Sequence, residues 1–144
     1  MFFISGLEQG TLYDLLQKQR FLNEKATGSV LRQMMTGLAA MHDMQYIHRD
    51  VKPENVLLTI KDPSDLSTAH VTLADLGSAI KFDEVLSGDY VTTRYYRSPE
   101  MVLKWPTYGP EVDVWAVGCI CFELLSGKPL FPAQAESDLL LRMS

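Results

Sequence analysis

The chain has 144 residues, with 13 Lys plus Arg against 18 Asp plus Glu for a formal charge of −5, and 47% of it is hydrophobic. That length suits one domain hiding roughly two-thirds of its unfolded surface, and the composition excludes a disordered tail or a fibrous repeat. The acidic balance argues against nucleic acid as a partner, and the longest apolar stretch, Val114 to Phe122, is far short of the roughly 20 residues of a membrane span.

Phe2 to Ile4 reads as the end of a buried strand stopped by Ser5-Gly6. A short helix is predicted from Thr11, an N-cap with Asp14 three residues on, to about Gln19. A longer helix starts near Asn23. Its Val30, Leu31, Met34, Met35, Leu38 and Met41 recur at three- and four-residue spacing and form one core-facing stripe. From Tyr46 the period changes. Val56 to Ile60 and Val71 to Leu73 read as two strands of a hairpin joined by the polar segment Lys61 to His70. Gly77 to about Thr107 is predicted as a long loop with one helical turn, a length that marks functional or disordered segments.

Glu111 to Leu125, between Gly109-Pro110 and Ser126-Gly127, is apolar on nearly all sides, so a helix buried on every face is expected. Ser137 to Met143 begins another helix. The only cysteines, Cys119 and Cys121, point about 200° apart on that apolar helix. They cannot pair with each other, match no zinc spacing and read as core residues. No basic region precedes Phe2 and no processing site follows Ile4. The setting expected is reducing and intracellular, cytoplasmic or nuclear.

His48-Arg49-Asp50-Val51-Lys52-Pro53-Glu54-Asn55 lies between the stripe helix and the hairpin. Its His, Arg, Asp, Lys and Asn match the catalytic-loop pattern of protein kinases, a chance match of order 10⁻⁴ or less at roughly 5% per residue type. In series come Asp75-Leu76-Gly77, Ser98-Pro99-Glu100 and Asp113-Val114-Trp115. The chain therefore resembles the C-terminal lobe of a eukaryotic protein kinase over essentially its whole length. Thr93 to Glu100 and Gly127 to Pro132 look most like the group of cyclin-dependent, MAP and cyclin-dependent-kinase-like kinases. Two residues depart from the pattern: Leu76 stands where phenylalanine is usual and Ser98 where alanine is usual.

The resemblance implies a mainly α fold with short β-hairpins, a partial kinase domain spanning 1–144 and lacking its N-terminal lobe. It implies a serine/threonine kinase that transfers the ATP γ-phosphate to protein substrates with Mg²⁺. Asp50 would accept or orient the substrate hydroxyl and Lys52 would contact the transferred phosphate. Asn55 and Asp75 would hold the metal, a hard cation suited to oxygen ligands. Adenine would meet the backbone of Ser5 and Leu7, with Leu57 against its face. His48 would pack inside the lobe, Asp113 would brace the catalytic loop, and Leu76 would pack beneath it. Thr93 and Arg94 would shape a pocket preferring proline after the target residue. Tyr90 would be a phosphorylation switch, with Arg49 also on the regulatory side, although Gly88 stands where many members of the group carry a second phosphorylated threonine.

No glycine-rich phosphate loop, strand lysine or regulatory-helix glutamate occurs in the 144 residues. The expectation is a fragment or truncated product, inactive alone. The alternative is a non-catalytic interaction module of kinase ancestry. A small-molecule phosphotransferase of related fold is disfavoured by the long Gly77 to Pro99 segment.

Overall fold

The computed structural model of the chain describes residues 8–84, 94–133 and 135–144. β1 (Glu8–Thr11) runs directly into α1 (Leu12–Lys18), which starts with the predicted capping box. Thr11 Oγ1 accepts from the Asp14 amide at 3.0 Å, and Asp14 Oδ2 accepts from the Thr11 amide at 2.9 Å. α2 (Glu24–Asp43) is capped by Asn23, whose Oδ1 accepts from the Ala26 amide at 2.9 Å. Its stripe buries Val30, Met34 and Leu38, while Met35 turns out of the core at 38% exposure.

β2 (Tyr46–Ile47), β3 (Val56–Ile60), β4 (His70–Leu73) and β5 (Ile80–Lys81) follow. β3 and β4 form the predicted hairpin, pairing Val56 with Leu73 and Leu58 with Val71. On β3 the side chains alternate, with Val56, Leu58 and Ile60 buried and Leu57 turned outward, as a period of two requires. The sequence reading did not include β1, which adds antiparallel to the other edge of β3 with Gly10 opposite Leu58. Nor did it include the two-residue pairing of β2 with β5, Tyr46 opposite Lys81.

α3 (Pro99–Val102) is the single α-helical turn of the long loop among the described residues. α4 (Glu111–Ser126) and α5 (Glu136–Met143) complete the order. The main core lies where α2 meets β4 on one side and α4 on the other. α2 approaches β4 closely at Gly37, where an added Cβ would lie 3.1 Å from Leu73 Cδ1. α4 ends at Gly127, in the left-handed region at φ 73°, and a Cβ there would meet the Arg20 carbonyl oxygen.

The expectation that α4 is buried on every face is corrected. Val112, Ala116, Cys119, Ile120 and Leu124 are buried, but Val114, Phe122 and Leu125 are each exposed by more than 40%. At 100° per residue these three share one stripe, and the described elements pack against the opposite side. Cys119 is buried and Cys121 half-buried, both unbridged. No helix among the described residues is long and apolar enough to cross a membrane.

Candidate active site

The segment between β2 and β3 makes the site. After Ile47 the chain takes a left-handed step at Arg49, φ 67°. It then extends through Lys52 into a 3-10 turn, Pro53–Asn55, which feeds β3. Pro53 suits the first position of that turn because its fixed φ is pre-set and its missing N–H would be unused. This path brings three predicted residues together. Asn55 Nδ2 donates to the Asp50 carbonyl at 2.8 Å and to Asp50 Oδ2 at 3.0 Å. Lys52 Nζ lies 3.0 Å from the same Oδ2. Asp50 and Asn55 are 6% and 7% exposed, so the carboxylate sits in a poorly solvated place between an ammonium and an amide. Oδ2 is fully occupied, while Oδ1 takes no hydrogen bond from the described residues. One oxygen is therefore clamped and the other is available as a proton acceptor.

The clamp is anchored from α4. Asp113, 1% exposed, accepts the His48 amide on Oδ2 and the Arg49 amide on Oδ1, both at 2.9 Å. His48 itself is fully buried, its Nε2 3.1 Å from the Ala74 carbonyl and its Nδ1 accepting the Asp50 amide at 3.3 Å. Both residues do what the sequence reading expected of them: they build the loop. A left-handed residue other than glycine costs about 1–3 kcal/mol and persists only where its surroundings hold it, and here the Asp113 carboxylate does so.

Asp75 follows β4, also left-handed at φ 58°. Its Oδ1 accepts the Gly77 amide at 3.2 Å. The Ala74 amide donates to the Asn55 carbonyl at 2.9 Å, so the chain passes Asn55 immediately before Asp75. The donor chemistry fits magnesium. Asn55 spends its amide nitrogen on Asp50 and keeps Oδ1, and Asp75 is an exposed carboxylate with Oδ2 uncommitted. No trio of His, Cys, Asp or Glu able to hold a metal occurs among the described residues, so a cation here would draw further oxygens from its ligand. Leu76 is corrected: it is 58% exposed rather than packed beneath the loop, because the 3-10 turn Leu76–Ser78 points it outward. Leu57 is 43% exposed on the outward face of β3.

Arg49 Nε donates to the Ser78 carbonyl at 2.7 Å and Nη1 to Tyr108 Oη at 3.2 Å, which ties the catalytic loop to the segments on both sides of 85–93. Arg94 is exposed at the start of the 3-10 turn Arg94–Tyr96. Ser5, Leu7, Tyr90 and Thr93 lie outside the described residues.

Sequence reasoning missed a second polar group next to the loop. Tyr96 Oη donates to Glu123 Oε2 at 2.7 Å. Burial, and then the Glu54 charge, push the Glu123 carboxyl above its usual range, while the Tyr96 hydrogen bond pulls the other way. Burial, and then Glu123, raise the Tyr96 hydroxyl. Glu54 Oε2 is buried without a hydrogen bond. These side chains line a cleft of about 220 Å³ with Tyr13, Gln17 and Arg20. The signal available was Glu123 itself, the one acid within the apolar run Val114 to Leu125. His42 was missed as well: its Nε2 lies 2.8 Å from Asp113 Oδ2.

A family model described as "Protein kinase domain" matches residues 1–143. The chain is 40% identical over 148 residues to Cyclin-dependent kinase F-3 of Oryza sativa subsp. japonica, covering 99% of this chain and 32% of that protein. It is 39% identical over 135 residues to Cyclin-dependent kinase-like 1 of Caenorhabditis elegans, covering 92% of this chain and 36% of that one. With Mitogen-activated protein kinase HOG1 of Saccharomyces cerevisiae the identity is 41% over 134 residues, 93% of this chain and 29% of the relative. The chain thus spans about a third of the length of the curated relatives it matches.

Proposed function

The chain belongs to the protein kinase domain family, among relatives that are cyclin-dependent, cyclin-dependent-kinase-like and MAP kinases, and by family it is a serine/threonine kinase; from that premise we propose that it supplies the catalytic floor for transfer of the ATP γ-phosphate to Ser or Thr of protein substrates. The observation that carries the reading is the Asp50 carboxylate with one oxygen clamped and the other uncommitted. Phosphoryl transfer through a loose transition state needs an acceptor hydroxyl held in line and negative charge offset, so positioning and electrostatics do most of the work. Asp50 Oδ1 orients the hydroxyl and takes its proton. Lys52, already 3.0 Å from Asp50, sets its ammonium against the phosphate oxygens. Asn55 Oδ1 and Asp75 would hold magnesium, which would supply charge neutralisation for the phosphate.

Adenine contacts at the backbone of Ser5 and Leu7, a phosphorylation switch at Tyr90 and a proline-preferring pocket at Thr93 and Arg94 belong to the same proposal. Leu57, solvent-facing on β3, supports the placement of the nucleotide.

The test is phosphate incorporation from ATP into Ser-Pro and Ser-Ala peptides by the full-length protein that carries this chain. Asp50→Asn and Asp75→Asn are each expected to lower turnover by about 10² or more, the effect of removing a proton acceptor or a metal ligand. Near wild-type rates in either variant would overturn the assignment of roles. A wild-type protein that binds peptide without transferring phosphate would favour an interaction module instead.

A further inference from the structure

We propose that Gln33 is a positioning residue for Asp75, acting through β4; the inference rests on the transfer chemistry above, in which Asp75 belongs to the magnesium pair. The side-chain amide of Gln33, on α2, makes two hydrogen bonds to the start of β4. Nε2 donates to the Ala69 carbonyl at 2.9 Å, and Oε1 accepts from the Val71 amide at 3.1 Å. One orientation of the amide satisfies both, since a carbonyl only accepts and an N–H only donates. β4 ends the sheet order β1-β3-β4, with β3 pairing its inner edge. At the two groups flanking His70, Gln33 does for the outer edge what the backbone of a further strand would do. Ala69 and Val71 are 5% and 8% exposed, so neither backbone group finds water readily once Gln33 is removed.

Gln33 is one rung of a ladder between α2 and the segment 65–73. Lys25 Nζ donates to Asp65 Oδ2 at 2.9 Å, and Ser29 Oγ donates to the Ser67 carbonyl at 2.7 Å. Gly37 leaves room for Leu73, whose Cδ1 lies 3.1 Å from where a Cβ would be. Positions 25, 29, 33 and 37 are four residues apart and share one helix face. From Gln33 to Gly37 a helix advances about 6 Å and from Val71 to Leu73 a strand advances about 6.6 Å, so the two elements keep pace over this span. β4 is therefore fixed lengthwise by α2 as well as sideways by β3. Asp75 inherits that lengthwise placement, because an extended segment has no slack to absorb a shift at its start. Past Leu73, the Ala74 amide donates to the Asn55 carbonyl at 2.9 Å and Asp75 then adopts φ 58°. A slide of β4 along its axis would carry Asp75 away from Asn55. The rungs at Lys25 and Ser29 act before the strand begins, and Gln33 stands between them and Asp75.

That difference between rungs supplies the test. Gln33→Met keeps an unbranched side chain of similar length and loses both hydrogen bonds, while Ser29→Ala removes the preceding rung. Both are to be made in the full-length protein that carries this chain. Three quantities are read: the free Mg²⁺ concentration at half-maximal transfer to a Ser-Pro peptide, the peptide KM, and Tm. Amide hydrogen exchange is followed for peptides spanning 70–76 and, as reference, 56–60. Gln33→Met is expected to raise the Mg²⁺ midpoint about fivefold with peptide KM within about twofold, and to speed exchange in 70–76 at least about tenfold with 56–60 unchanged. Ser29→Ala should leave the Mg²⁺ midpoint and exchange in 70–76 within about twofold of wild type, whatever its effect on Tm. An unchanged Mg²⁺ midpoint or unchanged exchange at 70–76 in Gln33→Met would overturn the proposal. So would midpoints that rise in both variants in step with their loss of Tm, which would show a purely structural contact. The exchange arm needs no phosphate transfer, so a wild-type protein without transfer sinks the proposed function, while exchange at 70–76 still decides whether Gln33 holds β4 and Asp75.

Discussion

Replacing Asp113 by Asn tests the bracing of the loop directly. Asn keeps one acceptor oxygen, which can still serve the Arg49 amide, but it turns an NH₂ toward the two donors now held by Oδ2, the His48 amide and His42 Nε2. Two hydrogen bonds to a charged acceptor are lost, each contributing about 1.5–3 kcal/mol, and donor is set against donor. Removing a buried charge returns part of this, because the carboxylate is 1% exposed and costly to desolvate. The net expectation is a loss of about 3 kcal/mol, or roughly 10 °C in Tm for a domain of this size. Thermal unfolding followed by far-UV circular dichroism reads the shift. Asp113→Ala, which orphans all three donors, should fall further than Asn. A drop of less than about 3 °C for Asn, or the opposite order of the two variants, would refute the reasoning that the carboxylate acts as a threefold acceptor.

Glu123→Gln keeps an acceptor for Tyr96 Oη and removes a charge that burial disfavours. The folded-state pKa is raised above the usual 4.5, so the penalty is full above the raised value and vanishes as pH falls toward the unfolded one. The Gln variant should match or exceed wild-type stability near pH 8 and lose that part of the pH slope, and a clear loss at pH 8 in denaturant titrations would count against it. Asp65 is held down to about 2, first by the Ser67 hydroxyl and then by Lys25. Its contribution is therefore present above pH 3.8 and lost between there and about pH 2, and Asp65→Asn should flatten the acid limb of the stability curve. Burial pushes the Cys119 thiol up to about 12, so iodoacetamide at pH 8 should leave Cys119 unmodified in the folded protein and label the half-buried Cys121 first, as read by peptide mass spectrometry. The 144-residue chain on its own should transfer phosphate no faster than its Asp75→Asn variant in a radiolabel assay, since no glycine-rich phosphate loop lies within it.

The local features were legible in the residues because their physics is local. Thr11 with Asp14, Asn23 at the start of α2 and the alternation of Val56, Leu58 and Ile60 each depend on neighbours within four positions. The motif around Asp50, Lys52 and Asn55 was legible for the same reason, since a 3-10 turn closes those residues onto one another within six positions. What periodicity could not supply was which surface meets which. An apolar run such as Val114 to Leu125 states that burial is favourable on all sides, but only the placement of α2 decides that Ile120 is covered and Phe122 is not. β1 and β5 are too short to show a period, and pairing with β3 and β2 makes them strands. Asp113 reaches the His48 amide across 65 positions of chain, which only the family resemblance pointed to, and His42 meets Asp113 across 71, which no local periodicity announces. Hydrogen-bond reach is a few ångströms in space and unlimited along the chain, so the residue types of the site are readable one by one, while the brace that holds them in place exists only once α2 and α4 have packed.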